Sequence, residues 1–279
     1  MSRPGPVNPR LAGPQRAAAP AGGAPARSGR VGPVLEEVLQ RCELADAGAR
    51  AQQVTSLLRP ALAGLDQVRQ SLGEQQWDGL VHRRCRLRPG APGQPSDDRQ
   101  PAPEQACTTV EVLGRRAGWE LLRASTCWRS PGAGTPRVVH DLARYLGQQP
   151  GAVPKVLPQA EALAGAVPGA GGPRLQLSPA DVRAWAQASG DRNAIHVEPG
   201  RAHALGLPVG AGSVVVHGML LAALSLAVAP LRAPEADLRF LRPLPLALDG
   251  TVWLAADRDG GLWHAGRLLL RRGDHRVRS

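Results

Sequence analysis

The sequence predicts an α+β chain of two halves with the same element order, each a main helix, a strand and a β-hairpin. In the first half Leu62, Leu65, Val68 and Leu72 recur at steps of three and four, the period of a helix with one buried face. In the second, the apolar run HGMLLAALSLAVA is followed by the strand-like ADLRFLRPL. DRDGG then splits TVWLAAD from LWHAGRLLL, a strong hairpin signal. The recurrence lies in element order and not in residue identity, which suits a duplicated unit that has diverged.

Taken in order, residues 1–33 read as a disordered basic tail, rich in Pro, Ala and Gly and without the apolar core of a secretory signal. PVLEEVLQRCELADAGARAQQVTSLL has helical composition up to Pro60, and the Leu62–Leu72 helix starts from there. GLVHRRCRL is strand-like, residues 89–106 form a polar loop, and TTVEVLGRRAGWELLRASTCW is a pair of strands around a Gly-containing turn. We assign residues 34–130 to this first half. Residues 131–174 carry many Gly, Pro and Ala with little periodicity and are expected to be a linker. Residues 175–279 make the second half, opening with the helix SPADVRAWAQAS.

The chain has 279 residues, enough for one large or two small domains, and no apolar run of the roughly 20 residues that a membrane helix needs. Its formal charge of +11 comes from 34 Lys+Arg against 23 Asp+Glu. The arginines are scattered, without interleaved aromatics, so a solvated basic surface is expected and not a nucleic-acid site. Cys42, Cys85, Cys107 and Cys127 form no CxxC pair, which fits reduced packing residues in a cytoplasmic protein and argues against a zinc ribbon.

Residues 177–224 carry the chemistry. Ser178 is placed to cap a helix with Pro179 at its first position and Asp181 in its first turn, and Gly190 ends it. Asp191, Asn193 and His196 follow in a short connection. A carboxylate and an imidazole can share a water and exchange a proton, although D-x-N-x-x-H alone also suits a loop histidine with purely structural bonds. Further on, Val214–Val216 lead to His217-Gly218-Met219 at the start of the apolar helix. A glycine there lets a carbonyl approach a free N–H at the positive helix end, the equipment of an oxyanion site. A plainer reading is that Gly218 permits tight helix packing.

SGDRNAIH followed by VVVHGMLLAAL resembles the signature of MaoC-like proteins, the (R)-specific enoyl-CoA hydratases and 3-hydroxyacyl-thioester dehydratases, and the resemblance covers residues 175–270. It implies a hotdog fold, a sheet wrapped around the helix that begins near His217, and for the whole chain a double hotdog whose first half is degenerate. It also implies Asp191 and His196 as the catalytic pair. Asn193, His217 and Gly218 would be substrate-binding, with Asn193 also steadying the loop and Gly218 N–H holding the thioester carbonyl. The activity implied is reversible hydration of trans-2-enoyl thioesters in fatty-acid metabolism, with acyl-CoA or acyl carrier protein as partner. No metal or cofactor is required, and the chain would be a monomeric double hotdog or a homodimer. Alternatives are a hotdog thioesterase and a non-catalytic acyl-thioester binding protein.

Departures from the pattern are Ala194 in place of Pro, Glu198 in place of Asp, and Leu226 near the position of a helix hydroxyl, with Ser225 turned about 100° away. Asp78, Gly79 and His82 lack the motif's frame, so His82 is expected to be structural, in an idle half that can widen the acyl channel. His203 is expected to be exposed and His264 to lie on a strand surface.

Overall fold

A computed structural model describes residues 30–88, 105–129, 137–147, 172–229 and 235–273. The expected tail up to residue 29 and most of the expected 131–174 linker lie outside the described residues. Helices α1 (Val31–Arg41), α2 (Ala47–Leu72) and α3 (Glu74–Trp77) precede strands β1 (Val81–Arg88), β2 (Gln105–Arg116), β3 (Trp119–Arg129) and β4 (Arg137–Tyr145). The second half runs β5 (Arg174–Leu177), α4 (Pro179–Ser189), α5 (Ala194–Val197), α6 (Arg201–Ala204), β6 (Ser213–Val215) and α7 (Gly218–Val228). It closes with β7 (Ala236–Phe240), β8 (Pro245–Ala247), β9 (Val252–Ala256), β10 (Leu262–His264) and β11 (Arg267–Gly273).

Nine strands form one antiparallel sheet in the order β2-β3-β4-β1-β7-β11-β10-β9-β5, and β6 pairs with β8. β1 pairs with β7 from Arg84↔Arg239 to Leu87↔Ala236, so the two halves share one continuous sheet. Long helices α2 and α7 pack on the sheet and on each other, and their apolar faces merge into one core. This is an α+β double hotdog, one helix wrapped per half.

Three elements differ from the sequence expectation. Pro60 lies inside the continuous helix α2 and does not end it. Its ring and missing N–H cost about 3 kcal/mol, but Ala51, Val54, Leu58, Leu62, Leu65 and Val68 keep one buried stripe in phase across it. Burying each of the larger side chains is worth about 1.5–3 kcal/mol.

Arg137–Tyr145, placed in the linker, is strand β4, seated between β3 and β1. It is enclosed by neighbours and buries Val138, Val139, His140, Leu142 and Ala143, so it lacks the alternation that marks a half-exposed strand. LWHAGRLLL is two strands and not one: Ala265 and Gly266 both take positive φ, at 47° and 73°, and turn the chain between β10 and β11.

The expected turns otherwise hold. Asp257 N–H bonds Gly261 O at 3.0 Å, with Gly260 at φ 82°. Ser178 and Asp181 form a reciprocal capping box, in which Asp181 Oδ2 accepts the Ser178 N–H at 2.7 Å and Ser178 Oγ accepts the Asp181 N–H at 3.4 Å. Gly190 ends α4 at φ 76°. That cap delivers the chain directly into the loop carrying Asp191.

Candidate active site

Past Gly190 the chain is held by Asn193, 3% exposed, whose side chain reaches the first half. Its Oδ1 accepts the Gly79 N–H at 3.0 Å and the Ile195 N–H at 3.4 Å. Its Nδ2 donates to Trp77 O at 3.1 Å and Leu80 O at 3.0 Å. Two acceptor sites and two donor hydrogens are the whole capacity of an amide, so no group is left for a substrate. Asn193 thereby anchors the loop, and three of its four partners belong to the other half.

Asp191 and His196 converge. Asp191 Oδ2 lies 3.9 Å from His196 Nε2, too far for a direct hydrogen bond and consistent with one oxygen atom between them. The other carboxylate oxygen accepts the Trp77 indole N–H at 3.2 Å and the Asn193 N–H at 3.3 Å. His196 Nδ1 sits 2.6 Å from Val215 O. A carbonyl can only accept, so the proton is on Nδ1 and Nε2 presents a bare lone pair to Asp191.

His217, 1% exposed, stacks on His196 with ring centroids 3.8 Å apart and planes at 26°. Its Nε2 donates to Asp191 O at 3.1 Å, which leaves Nδ1 buried and without a partner.

Burial, the largest influence, lowers the His196 pKa, against Asp191 and the Val215 carbonyl, which raise it. Burial, with His196 beside it, takes His217 to about 3. For Asp191 burial acts upward, but His196, His217, the Asn193 N–H and the Trp77 N–H outweigh it and bring the carboxyl below its usual value. At neutral pH the loop therefore offers an ionised carboxylate beside neutral imidazoles.

Donor atoms of Asp191, His196 and His217 lie within 4.8 Å of one another. They fit a shared metal poorly, because an ion between two stacked rings sits roughly half the 3.8 Å separation out of each ring plane, whereas imidazole donates along its plane.

Gly218 opens α7, and its N–H meets no acceptor among the described residues. A Cβ there would meet His82 Cβ at 3.0 Å and His82 Nδ1 at 3.3 Å. The sequence reading gave His82 a structural role in the idle half, and the structure sets it against the helix start. The D-x-x-x-H string was the available signal. Its aspartate is engaged elsewhere, since Asp78 pairs with Arg201. β1 carries a register irregularity between His82 and Arg84, the kind of bulge that re-aims a side chain. Trp77, also from the first half, was missed because nothing local in its sequence marks it.

Ser225 faces away from the site, its hydroxyl donating to Gly260 O at 2.6 Å. Leu226 is buried. His203 is exposed, and His264 lies on β10. Leu62, Leu65, Trp77, Trp185 and Met219 line a narrow pocket between the halves, with Asp191 among its lining. Among the described residues no helix is long and apolar enough to cross a membrane.

Comparison with known proteins places this site in context. Residues 166–241 match the model of the MaoC like domain. Over 90 residues, 31% of the chain, the sequence is 37% identical to 3-hydroxyacyl-thioester dehydratase X of Mycobacterium tuberculosis, and that stretch spans 30% of the relative's length. Two crystal structures of HtdX from Mycobacterium tuberculosis share the fold. One has a TM-score of 0.51 at 23% identity over 77% of this chain and 84% of that one. The other has a TM-score of 0.52 at 22% identity over 78% and 85%.

Proposed function

The chain carries a MaoC-like hotdog domain, and from that premise we propose that it is a hydro-lyase that reversibly adds water to trans-2-enoyl thioesters, giving (R)-3-hydroxyacyl thioesters. The supporting observation is the 3.9 Å gap between Asp191 Oδ2 and His196 Nε2, two lone-pair-bearing atoms next to His217, which stacks on His196 and immediately precedes Gly218 at the start of α7.

A water in that gap donates one hydrogen to each group. His196 Nε2 removes one proton as the water oxygen bonds to C3, and the C2–C3 π electrons move into the thioester to give an enolate. Asp191 keeps the water's other hydrogen in a bond and stabilises the imidazolium. The enolate oxygen accepts the Gly218 N–H at the positive end of α7. C2 then takes the proton from His196, so both hydrogens of the water end in the product. His217 braces the base by stacking on it, and Asn193 positions the loop. The thioester is carried by CoA or by an acyl carrier protein. A cytoplasmic setting in fatty-acid metabolism fits this reading.

The test is loss of the crotonyl-CoA enoyl absorbance. Wild type should consume the band, and Asp191→Asn and His196→Ala should each slow it by at least about 100-fold while circular dichroism is unchanged. Equal rates in wild type and Asp191→Asn would overturn the assignment. Release of free CoA thiol instead would select the thioesterase alternative, and tight acyl-CoA binding without turnover would select the binding protein.

A further inference from the structure

The free cysteines differ sharply in their surroundings. Cys85 on β1 is fully buried, and burial above all, with Asp237 and Asp141 nearby, pushes its thiol up beyond the usual range. Such a thiol is inert packing. Cys42 is part-buried and engaged, its sulfur accepting the Gln176 N–H at 3.2 Å. Cys107 is exposed and Cys127 partly so.

The pairing register brings these last two together. In the β2–β3 hairpin Cys107 stands directly opposite Cys127, followed by Thr108 opposite Thr126. Thr108 and Thr126 are buried, their hydroxyl oxygens 2.9 Å apart, and Thr108 bonds Gln67 of α2. Side chains alternate along a strand, so Cys107 and Cys127 share the opposite, outer face of the sheet.

Distance decides what two thiols so placed can do. Directly opposed residues have Cα atoms about 4.5–5.5 Å apart, inside the roughly 4.4–6.8 Å of a disulfide. Their Cβ atoms are about 4.5–5.5 Å apart, against the roughly 3.5–4.5 Å the bond needs. Closing it therefore takes a shift of about 1 Å. β2 can supply that movement, being an outermost strand of the sheet, with Cys107 near its start at Gln105.

The neighbours on that face are cationic. Arg137 of β4 stands opposite Cys127, and Arg88 of β1 opposite Arg137, both exposed. Like charges set opposite one another repel, and among the described residues Glu235, 3.5 Å from Arg88, is the acid that offsets them. A disulfide carrying carboxylates is drawn to such a row, whereas a cationic one is repelled.

We propose that Cys107 and Cys127 form a cross-strand dithiol that small anionic disulfides oxidise, tying the edge strand β2 to β3. The Cys107 sulfur, after losing its proton, attacks one sulfur of the disulfide RSSR, and the other leaves and takes up a proton as RSH. Cys127, losing its proton in turn, attacks the Cys107 sulfur of the mixed disulfide and expels the second RSH. Two protein thiols are thus oxidised to one disulfide, and RSSR is reduced to two RSH that carry both protons. Excess thiol reverses the exchange, so in a reducing compartment the staple is transient. Its effect falls on the edge: Val112 and Leu113 of β2 are 57% and 45% exposed, and an apolar edge that frays invites pairing with another chain.

Oxidised glutathione on the full chain, followed by alkylation and proteolysis, tests it. The expected product is a peptide pair linked through Cys107 and Cys127, the intact chain being lighter by two hydrogens. Cys127→Ser should stop at one glutathione on Cys107. A wild-type chain that keeps glutathione on Cys107, joins Cys107 to Cys42, or stays unmodified overturns the proposal. Oxidation should raise the urea midpoint of the wild type, because the bond closes a loop of about 20 residues in the unfolded state, and should not raise that of Cys107→Ser. An unchanged wild-type midpoint overturns the staple. Arg137→Gln should lower the ratio of the oxidation rate with oxidised glutathione to that with cystamine, a cationic disulfide, by about threefold or more, the effect of one unit charge at ~6 Å in water. An unchanged ratio overturns the anionic class. Neither readout involves thioester chemistry, so the outcome stands apart from the hydratase reading.

Discussion

Replacing Asn193 by alanine removes a side chain that serves four backbone groups at once. Gly79 N–H, Trp77 O and Leu80 O lose their partner in the buried junction between the halves, and Ile195 N–H loses a longer bond of 3.4 Å. An orphaned buried group costs about 1–3 kcal/mol. The space vacated by the side chain can admit water, so the expected total is about 3 kcal/mol and not the full sum. With a urea m-value of about 3 kcal/mol/M, the unfolding midpoint should drop by about 1 M. Asn193→Asp is the sharper control: it keeps the two acceptor positions and loses both donors, setting negative charge against Trp77 O and Leu80 O, so it should cost at least as much. The measurement is equilibrium urea unfolding followed by tryptophan fluorescence, with crotonyl-CoA hydration on the folded variants. A midpoint shift below about 0.3 M for Asn193→Ala, at unchanged m, would refute the anchoring role.

Gly218→Ala pushes a methyl toward His82 Cβ at 3.0 Å and should lower kcat/KM for crotonyl-CoA about 10- to 100-fold, as expected for a disturbed oxyanion donor; wild-type rates would remove that N–H from the reaction. Trp77→Phe deletes the indole donor to Asp191; the acid limb of the pH–rate profile should move upward and the rate fall less than in Asp191→Asn, and an unmoved profile would show that the bond does not hold the carboxylate ionised. Stability should fall on acidification. Burial, the largest influence on each, lowers His82, His217 and His140, to about 3, 3 and 4. The unfolded chain therefore binds protons first, from about pH 6.5 downward, at up to about 1.4 kcal/mol per pH unit for each histidine. Urea midpoints at pH 5 and pH 7 test the sign, and equal midpoints would contradict it.

The candidate loop was legible because its logic is local. A capped helix, a glycine stop, then a carboxylate and an imidazole five positions apart need no distant partner to be seen, and the structure brings Asp191, His196, His217 and Gly218 into one place. What the sequence could not show is who holds them. Trp77 and Gly79, which bond Asp191 and Asn193, stand 114 positions away from them, and periodicity carries no information across that distance. The same limit hid His82, whose ring reaches the site only because β1 lies beside β7 in the shared sheet. Pro60 and β4 failed for a different reason: breaker residues and missing alternation are local signals, and tertiary burial overrode both.

The strand pair β1 and β7 sets a condition on any attempt to work with the second half by itself. A fragment beginning near residue 172 would enter solution with the backbone of Ala236–Arg239 stripped of its neighbour and with Asn193 facing water in place of Trp77 and Leu80. A bare edge of that kind is a template for foreign strands, so such a fragment should self-associate, its Asp191–His196 loop unmoored.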